Sequence, residues 1–308
     1  MTQATMLTLG TRGSPLALWQ ARETARLAAL AHGVAPERLA ISIIKTSGDI
    51  IQDRALSEAG GKGLFTKELD EALLRGDIDA GVHSAKDLPT VLPDGIVIGG
   101  YLPREDVRDA LISRHGGSLG ALPQGGTVGT ASLRRAAQVL RLRPDLKIGL
   151  LRGNVETRLR KVEAGEFDAT LLALAGMKRL GLAHHASAIL DTDDFLPACG
   201  QGAVAITVRA GDAATAAALA PIYDEDTACA LACERSFLNA LDGSCRTPIA
   251  GLGVMEEDLL RFRGLVFAPD GQDVRAVGMS CAPEKSAVLG DAAGTYMLSK
   301  LPAGFMKA

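Results

Sequence analysis

The chain has 308 residues, 47% of them hydrophobic and only 4% aromatic, with 33 basic side chains against 36 acidic for a formal net charge of −3. That is more apolar material than one small core absorbs, so two or three domains are expected. Near-balanced charge and scarce aromatics argue against a nucleic-acid partner, and no apolar run is long enough to span a bilayer.

The first ten residues, Met1 to Gly10, lack a basic region followed by a long apolar one and do not read as a secretory signal. Thr5–Gly10 reads as a strand. Ser14-Pro15 then forms a helix start, an N-cap followed by proline at the first helical position, with the helix running over Pro15–Leu30. Leu39–Lys45 is a second strand. Apolar residues at 65, 69, 72 and 73 predict a helix over Phe65–Arg75, stopped by Gly76. Asp79–His83 is the next strand, and it releases Ser84-Ala85-Lys86-Asp87-Leu88-Pro89 into a loop.

An internal echo follows. Gly76-Asp-Ile-Asp-Ala80 has the layout of Gly165-Glu-Phe-Asp-Ala169, and Leu9-Gly-Thr-Arg-Gly-Ser14 is matched by Val128-Gly-Thr-Ala-Ser132. The two echoes share an order, which predicts two similar α/β domains. After about residue 220 the texture changes. A helix over Asp224–Leu241 precedes strands at Ile249–Met255, Leu260–Phe267 and Val274–Cys281, with Pro269-Asp-Gly271 as a turn, and Lys285–Leu301 closes as a helix. The expected fold class is therefore α/β with a small C-terminal α+β domain. Its boundaries are 1–102 plus 203–220 for domain 1, 108–196 for domain 2 and 225–308 for domain 3, with crossings at Tyr101–Arg108 and Leu196–Gly202.

Between Ala131 and Lys161 lie Arg134, Arg135, Arg141, Arg143, Lys147, Arg152, Arg158, Arg160 and Lys161, against Asp145 and Glu156. Arg134, Arg135, Arg152 and Arg158 fall at strand-to-helix junctions, where backbone N–H groups also favour an anion. Arg12 and Arg179 join them, whereas Arg141, Arg143, Arg160 and Lys161 read as solvated. No phosphate-binding loop is present: Gly60-Gly-Lys-Gly63 lacks the required spacing. Arginines without such a loop suit a ligand bearing many carboxylates.

Asp87 follows a strand end, a position for either a ligand-facing carboxylate or a turn former. Lys86 reads as surface, and His83 as completing the strand and packing. The cysteines are at 199, 229, 233, 245 and 281, an odd, scattered set that fits a reducing cytoplasm rather than a disulfide framework. Cys229 and Cys233 read as core, and no metal site is expected. Cys245, in Gly243-Ser-Cys-Arg-Thr-Pro248, is polar in its surroundings and beside Arg246. Catalytic thiol, redox thiol and covalent attachment point all fit it, with Cys199 as the competitor.

The stretches T-R-G-S-P-L-A-L-W-Q (11–20), G-G-K-G-L-F-T-K-E-L (60–69), V-H-S-A-K-D-L-P (82–89), S-L-R-R (132–135), L-R-G-N-V-E-T-R-L (151–159), L-P-A-C-G-Q-G-A (196–203) and E-R-S-F-L-N-A-L-D-G-S-C-R-T-P-I-A (234–250) closely resemble the porphobilinogen deaminase family, in family order. The resemblance implies two periplasmic-binding-protein-like (type II) α/β domains flanking a cleft. It implies a cytoplasmic, monomeric transferase of tetrapyrrole and haem biosynthesis that joins four porphobilinogens and releases ammonia. It also implies a dipyrromethane cofactor joined by a thioether to Cys245, and no nucleic-acid or membrane partner. By resemblance Asp87 is catalytic, Ser84, Lys86, Thr130, Ser132, Arg134 and Arg135 hold the cofactor, and Arg12, Ser14, Arg152, Arg158, Arg179 and Phe65 handle substrate. Ala131 departs from the family's usual serine, removing one hydrogen bond worth about 1 kcal/mol. The rival reading is a non-catalytic, two-lobed carboxylate-binding protein.

Overall fold

The computed structural model describes residues 5–50, 65–243 and 247–306. In chain order the elements are β1 (Leu7–Thr11), α1 (Pro15–His32), β2 (Leu39–Ile43), α2 (Ser47–Ile50), α3 (Lys67–Arg75), β3 (Ala80–Ser84), β4 (Ile96–Tyr101), β5 (Asp109–Ser113) and β6 (Thr127–Gly129). Then come α4 (Leu133–Leu142), β7 (Lys147–Gly149), α5 (Val155–Glu163), β8 (Ala169–Ala173), α6 (Leu174–Arg179), β9 (Ala188–Ile189), β10 (Val204–Arg209) and α7 (Ala213–Leu219). The chain continues through α8 (Glu225–Ala240), β11 (Ile249–Glu256), β12 (Leu259–Phe267), β13 (Val274–Cys281) and α9 (Ser286–Lys300). Short 3₁₀ turns connect several of them.

Two compact units result. The first draws on Met1–Gln52, Gly60–Glu105 and Ala203–Ala228, and the second on Asp106–Gly202 and Cys229–Ala308. The first unit's sheet runs β2-β1-β3-β10-β4, with β10 antiparallel to both neighbours. Ser14 caps α1 by accepting the Ala17 N–H at 3.3 Å, and Pro15 follows at the first helical position, as the sequence predicts. Ala21, Ala25, Ala28 and Ala29 are buried along α1 in the core beside Leu7, Leu9, Val82, Val204 and Ile206. Small side chains there let the helix lie close to the sheet.

The second unit's larger sheet runs β7-β6-β8-β5-β9, with β5 antiparallel to β8 and β9. The two orders are the same once β5 is matched to β10, so the internal echo is a repeated topology. Its residues explain themselves. Gly76 (φ 81°) and Gly165 (φ 82°) each end a helical segment in the left-handed region. The aspartate that follows ties the next strand to the first: Thr8 N–H donates to Asp79 Oδ2 at 2.8 Å, and Thr127 N–H to Asp168 Oδ2 at 2.7 Å. Ser132 caps α4 through the Arg135 N–H at 3.4 Å, as Ser14 caps α1.

The rest of the second unit carries the antiparallel sheet β11-β12-β13, in register from Ile249↔Val266 to Glu256↔Leu259 and from Leu260↔Cys281 to Phe267↔Val274. Phe237 of α8 meets Phe262 of β12 edge-on at 4.9 Å between ring centres. Cys233 is buried and its thiol is pushed up by that burial, whereas Cys229 is half-buried with its thiol 3.5 Å from the Pro283 carbonyl. Gly271 ends the predicted turn at φ 72°, with its Cα side against α4: a Cβ there would lie 2.3 Å from the Ala137 oxygen.

The ends of the predicted elements lie within two residues of their expected places. One two-residue change bears on the site: α3 begins at Lys67 rather than Phe65. The Phe65 ring lies outside the helix, against the Arg12 guanidinium. Among the described residues, no helix is long and apolar enough to cross a membrane, and no group of three or more His, Cys, Asp or Glu is arranged to hold a metal.

Candidate active site

In the first unit, β1 and β3 are parallel neighbours, and both end at the same edge of the sheet. Beyond β1, Arg12 and Ser14 occupy the junction into α1; beyond β3, a 3₁₀ turn over Ala85–Asp87 carries Lys86 and Asp87. One pocket at this edge is lined by Arg12, Ser14, Gln20, Phe65, His83, Ser84 and Asp87, among others. Strand ends of open α/β sheets are where ligands bind. The pocket thus gathers five of the sequence-selected residues. Lys86 is half-buried on the same turn but does not line the pocket.

Four features shape this pocket. The Arg12 guanidinium carbon lies 4.3 Å from the Phe65 ring centre, a cation–π contact that fixes where its charge sits. Gln20, buried in α1, donates from Nε2 to Ser84 Oγ at 2.9 Å, holding the serine at the strand end. Asp87 is exposed on its turn, so its carboxylate is open to an incoming ligand. His83 is buried as expected, but it also lines the pocket and bonds Thr207 Oγ1 through Nε2 at 3.0 Å. Burial and the nearby Arg12 charge lower its pKa to about 4, so the ring is neutral at physiological pH.

The second unit places its arginines differently from a row of open ligand handles. Asp109, fully buried at the start of β5, faces both members of the Arg134–Arg135 pair. Arg135 donates from Nε at 3.1 Å and from Nη2 at 2.6 Å to Oδ1, and Arg134 Nη1 lies 2.8 Å from Oδ2. Gln201 Nε2 adds a bond to Oδ1 at 3.1 Å. Burial opposes the charge on Asp109, but the two guanidiniums outweigh it and hold the carboxyl below the usual range. Arg134 also donates to the Leu196 carbonyl at 2.8 Å, and Gln138 brackets the same residue by accepting the Leu196 N–H at 2.8 Å. The crossing at 196–202 is therefore clamped to α4.

Two positive charges against one negative leave this cluster cationic. The buried Nε of Arg134 has no hydrogen-bond partner among the described residues. An anionic, carboxylate-bearing cofactor fits such a surplus. Beside it, Thr130 Oγ1 accepts the Ser132 N–H at 3.1 Å, ordering the β6–α4 junction. Arg152 is half-buried before α5; Asn154 caps that helix through the Thr157 N–H at 2.8 Å, and Arg158 Nε donates to the Gly153 carbonyl at 2.9 Å. Arg179, at the end of α6, donates to the Gly202 carbonyl at 2.7 Å. Cys245 and Arg246 lie outside the described residues, whereas Cys199 is buried in the clamped crossing.

Sequence reasoning passed over Gln20, Asp109 and Gln201. Gln20 looks like a polar residue on an ordinary helix, and only the strand order brings it to Ser84. Asp109 stands 25 positions before Arg134, and no local pattern ties them. Arg143 is not merely solvated: its guanidinium donates to the Leu119 carbonyl at 2.8 Å and to Asp145 at 2.7 Å, closing the chain around the end of α4.

The model of the "Porphobilinogen deaminase, dipyromethane cofactor binding domain" matches residues 7–217, and that of the "Porphobilinogen deaminase, C-terminal domain" matches residues 228–299. The porphobilinogen deaminase of Nitrobacter winogradskyi is 60% identical over 285 residues, covering 92% of this chain and 90% of that one. The Nitrobacter hamburgensis protein of the same name is 59% identical over the same shares. A YaeC-family lipoprotein of Enterococcus faecalis superposes with a TM-score of 0.42 at 12% identity, over 73% of this chain and 93% of that one. With both family models in order and relatives this similar along most of its length, the chain belongs to the porphobilinogen deaminase family.

Proposed function

We propose that this chain is a transferase that condenses four porphobilinogens head to tail, releases ammonia at each addition, and frees the linear tetrapyrrole hydroxymethylbilane by hydrolysis. The observation that carries the reading is the first unit's pocket, where the open carboxylate of Asp87 stands with Arg12, Ser14 and Phe65.

Each porphobilinogen carries an acetate and a propionate. Arg12 and Ser14 bind a carboxylate, and Phe65, whose ring packs against the Arg12 guanidinium, offers apolar surface to a pyrrole ring. Departure of ammonia leaves the substrate electron-poor, with positive charge shared by its ring nitrogen. Asp87 accepts a hydrogen bond from that nitrogen and stabilises the charge, then takes the proton lost from the α-carbon when the new bond has formed. The dipyrromethane cofactor supplies, when bound, the pyrrole α-carbon to which the first ring is added. Its carboxylates are assigned to Ser84, Lys86, Thr130, Ser132, Arg134 and Arg135, and its thioether to Cys245. Arg152, Arg158 and Arg179 take the carboxylates of the lengthening product. Each added ring brings two negative charges, which accounts for so many arginines in a chain of net charge −3.

Three domains, with 225–308 separate from the second α/β domain, a monomeric state and a cytoplasmic location complete the reading. Incubating the purified protein with porphobilinogen tests it. The reading requires ammonia and hydroxymethylbilane in a four-to-one ratio; binding without ammonia release would favour a non-catalytic carboxylate-binding protein.

A further inference from the structure

His83 has no role in the chemistry above, yet it is a wall of the same pocket. Its Nε2 faces Thr207 Oγ1 at 3.0 Å, and the Thr207 hydroxyl in turn lies 3.4 Å from the Gly81 carbonyl. A hydroxyl has one proton. With that proton on the Gly81 carbonyl, Thr207 accepts from His83, so the ring carries its proton on Nε2 and leaves Nδ1 a bare acceptor. Nδ1 makes no hydrogen bond to any described residue, and it is not among the sealed, unpartnered polar atoms of those residues. His83 keeps 6% of its surface exposed and is one of the residues that line the pocket.

Resting on the proposed function, we infer that His83 is a positioning residue, fixed by Thr207 as the Nε2–H tautomer, whose Nδ1 accepts a hydrogen bond from an N–H group of the incoming porphobilinogen. The three pocket groups then divide the substrate's recognition. Arg12 takes a carboxylate, Asp87 the group on which charge develops, and His83 a donor whose hydrogen bond needs no change of charge. A permanently neutral acceptor suits that task because it neither competes with Asp87 for the reacting proton nor repels Arg12.

Two substitutions separate this from a purely structural histidine. In His83→Gln the amide nitrogen reaches the Nε2 position and keeps the Thr207 bond, but nothing replaces Nδ1. In His83→Asn the amide oxygen falls near the Nδ1 position while the Thr207 bond is lost. For the cofactor-loaded enzyme, the KM for porphobilinogen should rise about tenfold in His83→Gln with little change in melting temperature. His83→Asn should melt earlier yet keep its KM within about threefold of wild type. Any outcome in which His83→Gln binds as well as His83→Asn overturns the inference. Ring ¹⁵N spectra of the wild type decide the matter if either variant fails to fold. The proton should be on Nε2, and the Nδ1 resonance should shift when porphobilinogen is added; a proton on Nδ1, or an unmoved resonance, refutes the assignment. Absence of wild-type turnover would instead sink the functional reading, and the tautomer would still be read from the same spectra.

Discussion

Replacing Asp109 with asparagine removes one negative charge and almost no volume, from a site where the side chain is fully buried. Its two oxygens meet Arg135 at 2.6 Å and 3.1 Å, Arg134 at 2.8 Å and Gln201 at 3.1 Å. The variant leaves two guanidiniums, 4% and 6% exposed, side by side without a counter-ion. Breaking a buried pair by removing one partner costs about 3–5 kcal/mol, because the charge left behind cannot recover its hydration. In a unit of this size that is roughly a 10 °C fall in melting midpoint. Urea titration at neutral pH measures the cost directly, provided the slope is unchanged. The sign with pH follows from the lowered pKa of Asp109. Its contribution is complete above the unfolded value, about 4, and is lost as pH falls through the folded value, so wild type and Asp109→Asn should converge in acid. A loss under about 1 kcal/mol would refute the reasoning, since that is the range of an exposed pair. A triple variant with Asp109→Leu, Arg134→Met and Arg135→Met should recover much of the stability. It should not retain the cofactor.

Asp87→Asn should slow turnover by about 10²–10⁴-fold while leaving the melting temperature unchanged, because the side chain is exposed; activity above a tenth of wild type would remove it from the catalytic role. Burial raises the pKa of Asp70 to about 6, so its proton is held more tightly in the folded chain. Stability should decline as pH rises from about 4 to about 6, and Asp70→Asn should flatten that stretch of a stability-versus-pH curve. At Gly271, the left-handed backbone and the 2.3 Å approach of a Cβ to the Ala137 oxygen should make Gly271→Ala destabilising by about 2–5 kcal/mol, read by chemical denaturation.

The sequence revealed most of the order of elements and less of the bonding. Alternation of strands and helices, the Ser14-Pro15 start and the repeated Gly-x-x-Asp-Ala segments were legible because each depends on neighbours in the chain. The repeat proved to be physical: Asp79 and Asp168 each hold the N–H of a preceding strand. Junction residues such as Arg12 and Asp87 were legible for the same reason, since a strand end is a local signal. Asp109 was not, because its partners arrive only when β5 docks beside β8 and presents its first residue to α4. His83 was read as packing, and its burial supports that. Its bond to Thr207 spans 124 positions and appears only when β10 lies antiparallel to β3.

The cofactor tether is the step on which everything else depends, and weighing the intact protein tests it most directly. Wild type should exceed the mass of its sequence by one dipyrromethane, before or after incubation with porphobilinogen, and Cys245→Ser should not. A wild-type chain that keeps its bare mass even after incubation, or a Cys245→Ser chain that still gains the adduct, would contradict the assignment.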